Sequence, residues 1–199
     1  MATRWVAIFF VLMTLIFNIR WLYILIGGDM KSFLILITVA LLFTGCSSSS
    51  VITQPVQDFD LNRYLGQWYE IARIDFKYEK NMDNTTANYS KNSNGTVKVV
   101  NRGYDFVKKV WKEAEGKAKF RGEPTVGALK VSFFGPFYSD YNILALDDYK
   151  YALVAGKTVD NLWILSREKT IPDDIKKRYL EIAMEAGFDT SRLYWVEHD

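Results

Sequence analysis

The chain has 199 residues, of which 49% are apolar, with 25 basic and 23 acidic side chains and a single cysteine. Arg4, Arg20, Asp29 and Lys31 are the only charges before residue 46, so the rest of the chain carries 22 of each sign and has no net charge. That balance, without any local Lys/Arg cluster, excludes a nucleic-acid binder, which needs a basic stripe against phosphates. One cysteine closes no intrachain disulfide, and no paired His or second Cys supplies a metal cluster.

In chain order, residues 5–26 form a first apolar run, long enough to span a bilayer but interrupted by Asn18 and Arg20. A second begins at Met30, where Lys31 gives a positive start, Phe33 to Phe43 an apolar stretch, and Thr44 and Gly45 the small residues of a cleavage site. Two accounts stay open. Either translation starts at Met30 and residues 1–29 are an upstream extension, or the first run is a membrane span whose buried Arg20 costs about 2.5 to 3.5 kcal/mol.

The run Leu42-Phe43-Thr44-Gly45-Cys46 resembles the lipobox of bacterial lipoproteins, in which the cysteine becomes the lipidated first residue. The resemblance implies a leader over residues 1–45, with its signal over 30–45, and acyl chains on Cys46 that anchor the protein to a membrane. Such chains bind at about 0.8 kcal/mol per buried methylene. Ser47, where sorting-avoidance signals place Asp, implies the outer membrane, on its periplasmic side. Residues 46–57, serine-rich and without periodicity, read as a tether reaching at most about 36 to 40 Å.

Residues 58–199 read as one domain. Short alternating segments separated by Asn, Gly, Asp and Pro predict strands with one dry face. Glu113 to Phe120 is the clearest, with Ala114, Gly116, Ala118 and Phe120 on one face and Glu113, Glu115, Lys117 and Lys119 on the other. Gly66–Ile74, Thr85–Ser90, Val97–Val99, Leu129–Phe133, Tyr138–Asp147, Tyr149–Gly156 and Asn161–Arg167 complete a set of eight. Eight antiparallel strands with a dry inner face close into an all-β up-and-down barrel wide enough for one small ligand. A helix is predicted over Pro172–Ala186, with Ile175, Tyr179, Ile182 and Ala186 at helical spacing, and a last strand over Leu193–Val196.

Gly66-Gln67-Trp68-Tyr69-Glu70, then Asn142 to Asp147 with Tyr149, then Leu162-Trp163-Ile164-Leu165-Ser166-Arg167 resemble the three signatures of the lipocalin family, in order. The Ile71-Ala72-Arg73 continuation and Phe133-Phe134-Gly135-Pro136-Phe137-Tyr138 look most like the bacterial outer-membrane lipocalins, the branch similar to apolipoprotein D. The resemblance implies a calyx for fatty acids or lysophospholipids. Its signature residues have a structural reading: Trp68 plugs the closed end, Gly66 lets the backbone pass beneath it, and Arg167 lies over the indole while bonding carbonyls of the preceding turn.

Ligand contacts are expected instead from the inner faces. Parity nominates Tyr89, Ala118, Phe120, Val131, Phe133 and Leu153, with Trp163 and Tyr138 as aromatic liners, unless side chains fill the interior completely. The loop Asp75–Asn84, with Phe76, Tyr78 and Met82, reads as a lid or a membrane-touching rim. Phe106 and Trp111 near a hairpin offer a face for a homodimer. No catalytic residue, metal or cofactor is expected, since the only thiol is Cys46 and the only histidine, His198, sits at a terminus taken to be mobile. A purely structural envelope protein remains the alternative to a carrier, with a lipid-modifying enzyme further behind.

Overall fold

In the computed structural model, which describes residues 53–199, the chain enters the fold through a single-turn helix and a strand joined by a glycine. Helix α1 (Leu61–Tyr64) starts where the Asp60 side chain accepts from the Asn62 amide at 2.9 Å. Gly66 follows with φ +92°, a left-handed turn that points the backbone straight into strand β1 (Gly66–Ile74).

Strands β2 (Met82–Lys91), β3 (Val97–Asp105), β4 (Val110–Phe120), β5 (Ala128–Phe134), β6 (Phe137–Asp147), β7 (Tyr151–Ala155) and β8 (Leu162–Ser166) then run antiparallel, each against its predecessor. β1 pairs with β8 along one edge and with β2 over Gly66–Tyr69 on the other, which closes the barrel. Past Tyr69, β2 leaves β1, and a short strand β9 (Leu193–Trp195) takes the vacated edge against Ala72–Ile74. The C-terminus thereby stitches the seam. Glu197 O accepts from the Asn84 amide at 2.9 Å, and the His198 ring nitrogen lies 2.8 Å from Glu70 O. The terminus expected to be mobile is thus held.

Two apolar clusters lie on opposite faces of the barrel wall. Inside are Trp68, Ala87, Tyr89, Val97, Val99, Ala118, Leu129, Ile143, Ala152, Val154 and Leu165. Outside, helix α2 (Asp173–Glu185) lays Tyr179 and Ala183 over Leu153, Ala155, Leu162 and Ile164. Pro172 stands just before the helix as its cap residue rather than as its first helical position.

The closed end is capped by the N-terminal segment. Val56 N donates to Ile143 O and Gly127 N to Val56 O, both at 2.8 Å, and Phe59 N donates to Thr125 O in the β4–β5 turn. The pairings of β1 to β9, helices α1 and α2 and this cap are all made among the described residues 53–199. The leader, Cys46 and most of the tether fall outside the described residues.

Arg167 sits at this closed end. Its guanidinium carbon lies 3.9 Å over the Trp68 ring, and its nitrogens donate to the carbonyls of Arg63, Tyr64, Leu65, Gln67 and Tyr149 at 2.7 to 3.1 Å. The Trp68 indole donates to Tyr64 O at 2.8 Å and is fully buried. Arg167→Ala removes the stack and strips five carbonyls of a charged donor, so an unfolding free energy lower by about 1 to 3 kcal/mol is expected, with ligand affinity nearly unchanged. Denaturant titration beside a binding isotherm checks it, and an affinity loss with an unaltered melt overturns it.

Candidate functional site: an aromatic calyx with an acidic mouth

The barrel is not solid. A cavity of about 320 Å³ opens at the end opposite the cap, between the β1–β2, β5–β6 and β7–β8 loops. A second lobe of about 250 Å³ shares Phe76, Tyr78, Glu79, Ala87 and Phe133 with it and runs toward Gly103 and Ala114.

The sequence-predicted residues divide by position. Tyr89, Val131, Phe133 and Trp163 line the cavity together. Phe133 depends on Gly116 across the β4–β5 pair, because a Cβ at Gly116 would stand 2.8 Å from the Phe133 ring and from Ser132 O. Ala118 and Phe120 face inward too, but they sit below the cavity in the packed closed end, where Phe120 meets Phe59 edge-on at 6.2 Å.

Tyr138 and Leu153 are corrections. Tyr138 points outward under the ammonium group of Lys119, while Ser139 and Tyr141, at the other parity, line the cavity. Leu153 lies outside the barrel, beneath α2. Its strand, Tyr-Ala-Leu-Val-Ala, is apolar on both faces because the helix covers the outer one, so alternation carries no sign of which side is in.

The cavity floor is a chain of phenols. Tyr141 OH lies 2.7 Å from Tyr64 OH and 2.9 Å from Tyr89 OH, with Tyr64 stacked on Trp68 at 4.8 Å. Burial holds all three hydroxyls far above the ordinary phenol value, so they remain neutral donors and acceptors at physiological pH.

The mouth is acidic, a feature that the strand parities did not reveal. Glu70 points inward from β1, and a β-bulge between Glu70 and Ala72 brings Arg73 to the same side. Arg73, fully buried, donates to Glu70 Oε1 at 2.8 Å, to Asp75 Oδ1 at 3.0 Å, and to the carbonyls of Glu79 and Met82 at 2.7 and 3.1 Å. It thus bolts the base of the β1–β2 loop. Burial keeps the Glu70 carboxyl above its ordinary value even with this guanidinium against it.

Glu79 stands in that loop, its carboxylate accepting from the Trp163 indole at 3.1 Å. Burial, reinforced by the Glu70 charge, pushes its pKa up to about 8, against the opposing pull of the indole bond and Arg73. Phe76 meets Trp163 edge-on at 6.0 Å, and Tyr78 packs on Phe134 at 5.6 Å, so the loop closes part of the mouth with aromatic rings. Tyr78, Phe134 and Phe137 are largely exposed on the rim, as are Phe106, Val107, Val110 and Trp111 on the β3–β4 hairpin. Met82, assigned to the loop from sequence, instead opens β2 and is buried. Among the described residues, no group of three or more His, Cys, Asp or Glu has the arrangement to hold a metal ion.

An eight-stranded calyx, closed at one end by a tryptophan under an arginine and open at the other onto an apolar cavity, is the architecture of a lipocalin. A family model described as a lipocalin-like domain matches residues 59–198, and the chain belongs to that family. It is 49% identical over 166 residues to the outer membrane lipoprotein Blc of Escherichia coli (strain K12), covering 80% of this chain and 92% of that protein. The outer membrane lipoprotein Blc of Vibrio cholerae serotype O1 is 46% identical over 164 residues, 81% of this chain and 96% of that one. Apolipoprotein D of Bos taurus is 38% identical over 150 residues, 70% and 77% of the two chains. Among solved structures, insecticyanin from the tobacco hornworm Manduca sexta superposes with a TM-score of 0.61 over 74% of this chain and 85% of that one, at 23% identity, a likeness of fold.

Proposed function

We propose that this protein is a non-enzymatic carrier that holds one fatty acid or lysophospholipid in its calyx at the outer membrane of a bacterial cell, serving envelope lipid maintenance. The observation that carries this reading is the open cavity of about 320 Å³ walled by Ala87, Tyr89, Val99, Val131, Phe133, Trp163 and Leu165, which suits an acyl chain. Lipidation of Cys46 supplies the anchor, a reading supported by the lipobox and by relatives named outer membrane lipoproteins. The exposed β3–β4 hairpin with Phe106 and Trp111 is the face through which two copies would pair. Among the described residues the buried carboxyls are engaged structurally, Glu70 by the Arg73 guanidinium and Glu79 by the Trp163 indole, which favours binding over catalysis.

Acyl length tests the reading. Residues 53–199 titrated with a homologous series of saturated acyl ligands should bind one per barrel and lose part of their tryptophan emission, since Trp163 lines the cavity. Each added methylene contributes about 0.8 kcal/mol, close to fourfold in affinity, until the cavity is full, after which affinity levels off. A surface patch shows no such ceiling, and absence of binding below micellar concentrations rejects the carrier reading.

A further inference from the structure

The floor of the calyx holds one hydrogen-bond donor more than it uses. Tyr64, Tyr141 and Tyr89 carry three phenolic O–H groups, and the chain that joins them contains two hydrogen bonds, at 2.7 and 2.9 Å. None of the three oxygens has a further partner among the described residues. Each phenol owns one hydrogen, so whichever way the chain is polarised, one O–H is left without an acceptor. If Tyr64 and Tyr89 both donate to Tyr141, the spare hydrogen is on Tyr141. If the bonds run from Tyr64 through Tyr141 to Tyr89, it is on Tyr89, and both of these rings line the cavity. In the opposite polarity it is on Tyr64, 2% exposed and shut in by the rings of Phe59, Trp68 and Tyr89. A buried donor without an acceptor is costly, and only the first two arrangements turn it to where a ligand can meet it.

The cavity wall has the complementary defect. Asn101 lines both lobes, and its Oδ1 is buried with no hydrogen-bonding partner among the described residues. It stands on β3 two residues beyond Val99, the register partner of Tyr89, and therefore on the same inner face one row nearer the mouth. A spare donor and a spare acceptor one row apart are both answered by a single hydroxyl, which accepts from a phenol and donates to the amide oxygen. A carboxylate does not suit the place. It brings no hydrogen for Asn101, no lysine or arginine lines this lobe, and Arg167 at the closed end is committed to backbone carbonyls and the Trp68 ring.

We infer that the floor of the calyx is a subsite for a hydroxyl carried at the far end of an acyl chain, with Tyr89 and Tyr141 as donors and Asn101 as acceptor, so that the preferred ligands are chain-hydroxylated lipids. This rests on the carrier reading and deepens it. An acyl chain that enters from the mouth delivers its tail to the phenols, and a tail ending in a methyl group leaves both the spare donor and the spare acceptor unanswered.

The experiment takes the saturated fatty acid at whose length affinity levels off and the same chain with a terminal hydroxyl. Both are titrated below micellar concentration, by calorimetry, into residues 53–199 and into the triple variant Tyr64→Phe, Tyr89→Phe, Tyr141→Phe. Removing the three hydroxyls together keeps the rings and orphans no phenol. Near-ultraviolet circular dichroism and an unchanged affinity for the methyl-ended acid show that the cavity is intact. In the parent, the hydroxyl-ended acid should bind at least as tightly as the methyl-ended one. In the triple variant it should bind about tenfold or more weakly than the methyl-ended one, because its hydroxyl is then buried against bare rings. Asn101→Leu, which leaves the phenols in place, should shift the same ratio by about fivefold against the hydroxyl-ended acid. A hydroxyl-ended acid already about tenfold weaker in the parent, or a ratio that the triple variant leaves unchanged, overturns the subsite and leaves the carrier reading standing. A ratio unmoved by Asn101→Leu overturns the part given to Asn101. If neither acid binds the parent, the carrier reading itself fails.

Discussion

Arg73→Ala should lower the unfolding free energy by about 3 to 5 kcal/mol, a larger loss than that expected of Arg167→Ala, because it leaves Glu70 buried without its cation. The substitution removes ion pairs to Glu70 and Asp75, two donors to the carbonyls that fix the β1–β2 loop, and the guanidinium that lies 4.7 Å from the Tyr194 ring centre. The double variant Glu70→Gln with Arg73→Met, which takes away both charges, should recover most of the loss, since replacing both members of a buried pair is far cheaper than orphaning one. Denaturant midpoints of the parent, the single and the double variant decide this. A single-variant loss under about 1 kcal/mol would mean that the pair does not hold the loop.

Ala87→Trp should reduce ligand affinity by more than about 100-fold while the barrel still folds. Ala87 is the small residue common to both lobes, and an indole there occupies the space that an acyl chain needs. Overpacking costs about 1 to 3 kcal/mol of stability. Ala118→Trp is the informative contrast. Ala118 sits below the cavity in the packed end, so the same bulk should cost stability without competing for the ligand's volume. A folded Ala87→Trp protein that binds a lysophospholipid as tightly as the parent does would show that the ligand lies somewhere other than this cavity.

The barrel was legible because β3, β4 and β5 expose one face, so that Lys98, Glu113, Glu115, Lys117 and Lys130 mark the outside residue by residue. The signal failed where the outside is covered. β7 and β8 lie beneath α2, and their outer residues Leu153, Leu162 and Ile164 are as apolar as their inner ones. The predicted helix itself held the clue, since a helix laid on a barrel needs an apolar patch of sheet under it. Tyr138 was misplaced for a different reason. β6 carries apolar residues at both parities, and register shifts between Val131 and Phe134 and between Ile143 and Ala145 leave no single alternation to follow along it.

The acidic mouth was less accessible still. Glu79 lies in a loop, where no periodicity indicates direction, and the side chain that fixes the loop, Arg73, faces inward only because of a bulge. The aromatics Phe76 and Tyr78 drew attention to the loop. Nothing in the sequence distinguishes the glutamate between Tyr78 and Lys80 from a solvated loop charge.

The position of the N-terminal cap sets a mechanical condition on loading. Val56 is pinned at the closed pole of the barrel, and the mouth is at the other pole. Residues 46–55 reach at most about 33 to 36 Å when drawn straight. The wall they would have to climb is about 26 to 30 Å high, the projection of the eleven-residue β6 at ordinary barrel tilt. If Cys46 carries the anchor proposed above, bringing the opening to the leaflet that holds it would take nearly the whole of that span. On the carrier reading proposed above, the length of this leash, beside the shape of the pocket, would bear on which membrane surface the opening can reach.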